Sequence, residues 1–201
     1  MNRLLGIFGG SFNPIHVGHL ILAEYIREEF KLRKIIFIPT GNPPHKNVSD
    51  LEKACFRFDM VKIAVGNNPF FEVSDIEIKR EGISYTSDTL KEIRGKYPDE
   101  ELFFICGSDS LVQLSSWHEP ESIFRLAAII AAGRAGIPDK ELEGVIAEFK
   151  NRYNARIYLS EAPHIGISSS EIRNRIKNGF SVRYMVPDAV AEYIAKNRLY
   201  R

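Results

Sequence analysis

The sequence predicts an α/β protein: a Rossmann-like, doubly wound parallel sheet with a small helical part at its C-terminus. Three observations carry that expectation. Short apolar runs alternate with segments of helical periodicity along the 201 residues, with no low-complexity linker and no repeat. The runs are apolar on consecutive positions, the pattern of strands covered on both faces. The loops richest in Gly, Asn, Pro, Ser and His follow strands, at Gly9, Thr40, Gly107 and Gly133, where carboxyl ends of parallel strands form a ligand crevice.

Taken in order, Leu4-Leu5-Gly6-Ile7-Phe8 has the length and composition of a buried strand, and Leu20, Ala23, Ile26 and Phe30 give the next segment a helical face. Lys34 to Pro39 is a second strand, ending in the loop Thr40 to Lys46. Ser49 and Glu52 have capping-box spacing and open a helix running to about Val65. Phe70 to Val73 and Ile76 to Ile78 read as short strands. Thr86 or Ser87 caps a helix to about Lys96. Glu101 to Cys106 and Ala127 to Ala132 are core strands, Pro138 to about Tyr153 a helix, and Ala155 to Leu159 the last strand. Two helices finish the chain, Ser169 to Lys177, stopped by Gly179, and Pro187 to about Asn197. The whole, residues 1–201, fits one domain.

Composition excludes several classes. Hydrophobic residues are 44% and charged residues 26%, enough for a globular core. Lys+Arg 27 against Asp+Glu 26 gives net charge +1, which argues against nonspecific nucleic-acid binding. Cys55 and Cys106 lie far apart, match no metal or redox motif and suggest a reducing compartment. The N-terminus reads as a strand and no run approaches membrane-spanning length, so a cytoplasmic protein with no membrane partner is expected. A homo-oligomer is compatible with the sequence, which does not decide it.

The chemistry concentrates between Gly9 and Leu20, read as GGSFNPIHVGHL. Gly9 and Gly10 suit a tight turn and close ligand approach, Pro14 stiffens the turn, and His16 and His19 sit about one helical turn apart at a helix start. Unpaired N–H groups and the positive dipole end make such a start suitable for phosphate. The histidine pair could bind a metal, but no cysteine or acidic cluster with ligand spacing accompanies it. The stretch is neither a Walker A loop nor a GxGxxG fingerprint. A second stretch, Ile167-Ser168-Ser169-Ser170-Glu171-Ile172-Arg173, has capping-box spacing at Ser168 and Glu171. It offers open N–H groups, and Arg173 within about a turn, to an anion.

GSFNPIHVGH and ISSSEIR resemble the two signatures of the HxGH nucleotidyltransferases, in the right order and near opposite ends of the chain. PPHK at Pro43 to Lys46, Tyr85-Thr86, GSDS at Gly107 to Ser110, Trp117 and Arg134 narrow the resemblance to bacterial nicotinate-nucleotide adenylyltransferases, over essentially the whole chain. The resemblance implies ATP and nicotinate mononucleotide as substrates, with Mg²⁺ held mainly by phosphates and water. It places Gly9, Gly10, Ser11 and Phe12 at ATP, with His16 and His19 at its phosphates. His19 is the better candidate near the α-phosphate. Gly107 would also line the ATP site, and Asp109 would contact the ribose. Ile167, Ser169, Ser170 and Arg173 would close over the triphosphate, in a helical part spanning about 167–201. Asn13 and Tyr85 would lie at the second substrate, Lys46 at a phosphate, Thr86 and Trp117 at the pyridine ring, and Arg134 at the mononucleotide phosphate. Each has an ordinary structural alternative: Trp117 as core, Asp109 as a helix cap, Lys46 as a solvated loop charge. Asn13 stands where related families often carry Asp, Ser170 where Thr is frequent, and His118 beside Trp117 makes the ring pocket less defined. Other readings are a pantetheine-phosphate adenylyltransferase, a synthetase-like fragment (no KMSKS-like loop is visible) and a non-catalytic nucleotide sensor.

Overall fold

The computed structural model describes residues 3–44, 52–133 and 139–201. In chain order the elements are β1 (Leu4–Gly10), α1 (Val17–Glu29), β2 (Lys34–Pro39), α2 (Ala54–Val65), β3 (Phe71–Val73), α3 (Ile76–Lys79), α4 (Thr86–Lys96) and β4 (Glu101–Gly107). Then come α5 (Ser108–Gln113), a 3-10 turn (Leu114–Ser116), α6 (Pro120–Leu126), β5 (Ala127–Ala132), α7 (Asp139–Tyr153), β6 (Ile157–Ser160), α8 (Ser169–Lys177) and α9 (Asp188–Lys196).

The strands form one parallel sheet in the order β3-β2-β1-β4-β5-β6. The expected doubly wound α/β fold is therefore present. Sequence order reverses between β1 and β4, and an open parallel sheet leaves a ligand crevice beyond the carboxyl ends of the strands at such a switch point. Alternate residues of each strand face opposite layers. Ile7, Ile36, Phe104 and Ile129 pack on one face with Leu90, Leu111, Phe124 and Phe149 of α4 to α7. Phe37, Phe103, Ile105 and Ile130 pack on the other with Ala23, Met60, Ile172 and Val190 of α1, α2, α8 and α9. Ile172, with 0% exposure, anchors α8; truncation to Ala would cost about 2–5 kcal/mol. Tyr193 Oη donates to Asp59 Oδ2 at 2.6 Å and Val17 N to Met185 O at 2.9 Å, which ties the C-terminal helices to α2 and to the start of α1.

Several expectations are corrected. Ile76 to Ile78 is the one-turn helix α3 and not a strand: the consecutive residues Ile76 and Glu77 are both buried, and Lys79 pairs with Asp75 across one turn at 2.8 Å. The last strand begins at Ile157, because the Ala155 N–H still bonds Phe149 O at the end of α7. Thr86 and Ser87 are not caps. Tyr85 is the N-cap, without a side-chain cap bond, and α4 begins at Thr86 itself. Helix α5 was expected only in the alternative in which Asp109 is a cap, and α6 was not expected; Pro120 at the start of α6 was the available signal. Ser49 and the start of its expected helix lie outside the described residues, and α2 begins at Ala54. Among the described residues no helix is long and apolar enough to cross a membrane.

Candidate active site

Gly9 and Gly10 end β1, and the left-handed residue of the following loop is Phe12 (φ 43°) rather than a glycine. Gly10 is closely covered: a Cβ there would lie 3.2 Å from the Phe12 ring, which would have to yield by a few tenths of an ångström. That ring, 2% exposed, packs edge-on against Phe8 and His19, and Phe12 lines the larger of the site's two cavities. The Asn13-Pro14 peptide is cis. Asn13 is buried, and its Oδ1 accepts from Tyr200 Oη at 2.9 Å and Glu52 N at 3.3 Å, so its side-chain oxygen is committed to holding the loop.

His16 is the N-cap of α1 with extended backbone. Its N–H donates to His19 Nδ1 at 3.2 Å, and the two rings stack with centroids 3.7 Å apart at 27°. Because Nδ1 accepts, the proton of a neutral His19 ring is assigned to Nε2, which is then a donor. No acidic residue occupies the first turn of α1, so the positive end of the helix is left for an anion.

The second signature docks directly onto the first. Ser168 caps α8, accepting from Glu171 N at 3.1 Å, as its spacing suggested. Ser169 Oγ donates to Pro14 O at 2.9 Å, and Arg173 Nη1 to Asn13 O at 2.9 Å, with Nη2 at 3.3 Å from Ser170 Oγ. Together these segments enclose a cavity of about 850 Å³, lined also by Gly9, Gly10, Ser11, Gly107, Asp109 and Ile167. Asp109, exposed in the first turn of α5, is not a cap; Gly107 is. A smaller cavity of about 220 Å³ adjoins it, sharing Gly9, Gly10, Ser11, Phe104, Ser110 and Trp117. Here Tyr85 stacks on His118 at 4.1 Å, Trp117 leans edge-on against Phe104, and Thr86 opens α4 with first-turn N–H groups that have no intrahelical acceptor. The structure thus brings together all the expected site residues except Lys46 and Arg134, which lie outside the described residues.

Two buried charged residues escaped the sequence reading. Arg57, 1% exposed, donates to Ser11 O (2.7 Å), Thr40 O (2.6 Å), Gly41 O (3.2 Å) and Glu52 O (2.9 Å), so one guanidinium fixes the loops after β1 and β2. Burial lowers its pKa from the usual guanidinium value. Glu77, 6% exposed, lies in the wall of the smaller cavity. The loop after β2 crosses it so closely that a Cβ on Gly41 would come within 2.2 Å of Glu77 O. No local pattern marks either residue, since each acts through partners distant in sequence. Cys106 also lines the larger cavity, and burial, helped by the Asp109 charge, pushes its thiol up to about 12.

Comparison with known proteins shows the family. Residues 7–175 match the cytidylyltransferase-like family. The chain is 46% identical over 199 residues to a "Probable nicotinate-nucleotide adenylyltransferase" of Desulfitobacterium hafniense (strain Y51), covering 99% of this chain and 96% of that one. Identity is 45% over 198 residues to a protein of the same name from Lachnoclostridium phytofermentans, covering 98% and 99%. The chain belongs to the nicotinate-nucleotide adenylyltransferase family. Among solved structures, Plasmodium falciparum nicotinic acid mononucleotide adenylyltransferase complexed with NaAD superimposes with TM-score 0.81 at 24% identity, covering 99% of this chain and 98% of that one, and shares the fold. In this member of the family, no group of three or more His, Cys, Asp or Glu among the described residues could cage a metal. Asp109 is the one carboxylate among the described residues lining the larger cavity. That donor set fits Mg²⁺ keeping phosphate and water ligands.

Proposed function

We propose that the chain transfers the adenylyl group of ATP to nicotinate mononucleotide, giving nicotinate adenine dinucleotide and pyrophosphate, in the cytoplasm. The observation that carries this is the docking of the α8 start onto the His16–His19 loop, which surrounds one cavity with phosphate-binding groups beside a second, ring-sized cavity. ATP occupies the larger cavity and the pyridine ring the smaller. An oxygen of the mononucleotide 5′-phosphate attacks the α-phosphorus, the bond to the β-phosphate oxygen breaks, and pyrophosphate leaves with the electron pair. With a second pKa of about 6, the attacking phosphate is already largely dianionic at neutral pH, so no general base is required.

Catalysis is positioning plus electrostatics. His19 Nε2–H donates to the charge building at the α-phosphate, with His16 holding His19 by its main chain. Arg173 and the first-turn N–H groups of Ser169 and Ser170 hold the β- and γ-phosphates; the Ser169 hydroxyl proton is committed to Pro14, so its main chain serves the anion. Mg²⁺ bound with the triphosphate would supply further neutralisation of the leaving group, held by phosphate and water more than by protein side chains. Asp109 meets the ATP ribose, Lys46 a phosphate, and Arg134 the mononucleotide phosphate. Trp117 stacks on the ring, and N–H groups at Thr86 receive its carboxylate.

Pyrophosphate release from ATP, measured with a panel of nicotinate mononucleotide, nicotinamide mononucleotide and phosphopantetheine, tests the reading. Release is expected with the nicotinate substrate foremost. Preference for phosphopantetheine, or ATP binding with no release, would overturn it.

A further inference from the structure

Resting on that substrate reading, we propose that Glu77 determines the acid preference of the ring cavity. Held as a neutral acid it admits a ring bearing a carboxylate, and its ionisation turns the cavity towards an uncharged ring.

The geometry begins with the place of Glu77. Glu77 is buried in the wall of the same cavity that is lined by Thr86, Tyr85 and Trp117. Oε1 has a short hydrogen bond with Thr89 Oγ1 at 2.7 Å, whereas Oε2 is buried with no well-formed side-chain partner and only the Gly41 main chain beside the carboxyl. An ionised carboxylate spreads its charge over both oxygens, so ionisation would leave a charged, buried atom with little compensation beyond the Gly41 main chain. The neutral form removes that conflict.

The surrounding hydrogen bonds accommodate either state. Thr89 Oγ1 accepts from Arg80 Nη1 at 2.9 Å and lies 3.1 Å from Tyr85 O. With Glu77 ionised, the Thr89 hydroxyl donates to Oε1. With Glu77 neutral, its O–H donates to Thr89, whose own proton turns to Tyr85 O. One hydroxyl rotation separates the two arrangements, and it ends at the residue that caps α4, beside the proposed carboxylate site.

The charges facing Glu77 are Arg80 from the segment after α3, Glu92 from α4 and Arg57 from α2. Arg80 is itself paired with Glu92, and Arg57 is held by four main-chain carbonyls. Burial therefore prevails, raising the Glu77 carboxyl above the ordinary carboxylate value against the pull of Thr89, Arg80 and the Gly41 main chain. A fixed anion in this wall would repel a nicotinate carboxylate and leave an amide almost unaffected. At intermediate dielectric such a like-charge contact is worth about tenfold or more in affinity.

The measurement is kcat/KM for nicotinate mononucleotide divided by that for nicotinamide mononucleotide, from about pH 5 to 9. Both substrates carry the same phosphate, so its titration cancels in the ratio. The wild-type ratio is expected to fall about tenfold or more as Glu77 ionises, while Glu77→Gln keeps its low-pH ratio throughout. His118, the other titratable side chain on this wall beside Tyr85, is controlled by His118→Asn, in which the fall should persist. This second variant tests the proposal without disturbing the Glu77 network. A flat wild-type ratio, the same fall in Glu77→Gln, or loss of the fall in His118→Asn would each overturn the role of Glu77. If nicotinate mononucleotide were not adenylylated at any pH, the substrate reading would fall and this inference with it.

Discussion

The tautomer of His19 leads to a prediction that separates its chemical role from its structural one. Nδ1 accepts the His16 N–H at 3.2 Å, and in the proposed mechanism the Nε2–H donates to the phosphate. Asparagine at position 19 can place its amide near Nδ1 and keep the acceptor, but it does not reach the Nε2 position. Glutamine reaches approximately to Nε2 and offers an N–H there, but it abandons the bond to His16. His19→Asn should therefore be the more stable of the two variants and lose catalysis. Removing one donor to a developing oxyanion costs about a hundredfold to a thousandfold in kcat, or about 2.7–4 kcal/mol. His19→Gln should recover part of kcat and lose stability by about 0.5–2 kcal/mol, the range for a lost helix-start bond. Both variants give up the ring stack on His16 and the edge contact with Phe12, so the bond to His16 is read from the difference in stability between them. Pyrophosphate-release kinetics at saturating ATP and urea unfolding of each variant measure the two effects. The reasoning fails if His19→Asn turns over at nearly the wild-type rate while folded, or if both variants lose kcat equally.

Arg173→Ala should lower kcat/KM for ATP by about tenfold or more, and Arg173→Lys should recover only part, because one lysine cannot span Asn13 O and Ser170 Oγ. Unchanged steady-state constants for the alanine variant would refute the triphosphate role. Glu77 also links stability to pH. Its native pKa is raised above the ordinary 4.5, so the folded protein keeps a proton that the unfolded chain releases. That contribution is complete below the unfolded value and is lost as pH rises through the native one. Calorimetry should accordingly show the Tm advantage of Glu77→Gln over wild type growing with pH from the acidic side upwards; the same Tm difference at every pH would contradict this. Finally, native protein should expose one rapidly reacting thiol, Cys55, with Cys106 reacting only on unfolding, which a thiol titration with and without denaturant checks.

What the sequence determined by itself was whatever depends on neighbours in the chain. Consecutive apolar residues such as Ala127 to Ala132 specified a doubly covered strand, and it is buried throughout. The spacing of Ser168 and Glu171 specified where α8 begins, and the HxGH string placed two imidazoles at the start of α1, because capping and helical periodicity act over three or four residues. Tertiary structure decided what depends on distant partners. Ile76 to Ile78 alternates like a strand, yet Asp75, Lys79 and the buried Glu77 make it a turn of helix. Asn13 carries a polar side chain in a ligand-like loop, but Tyr200, 187 residues away, takes its oxygen. Arg57 and Glu77 look like ordinary surface charges on short-range reading. Only folding removes them from water, and a charge in that position acts according to the carbonyls, hydroxyls and cavity walls around it, which no local pattern encodes.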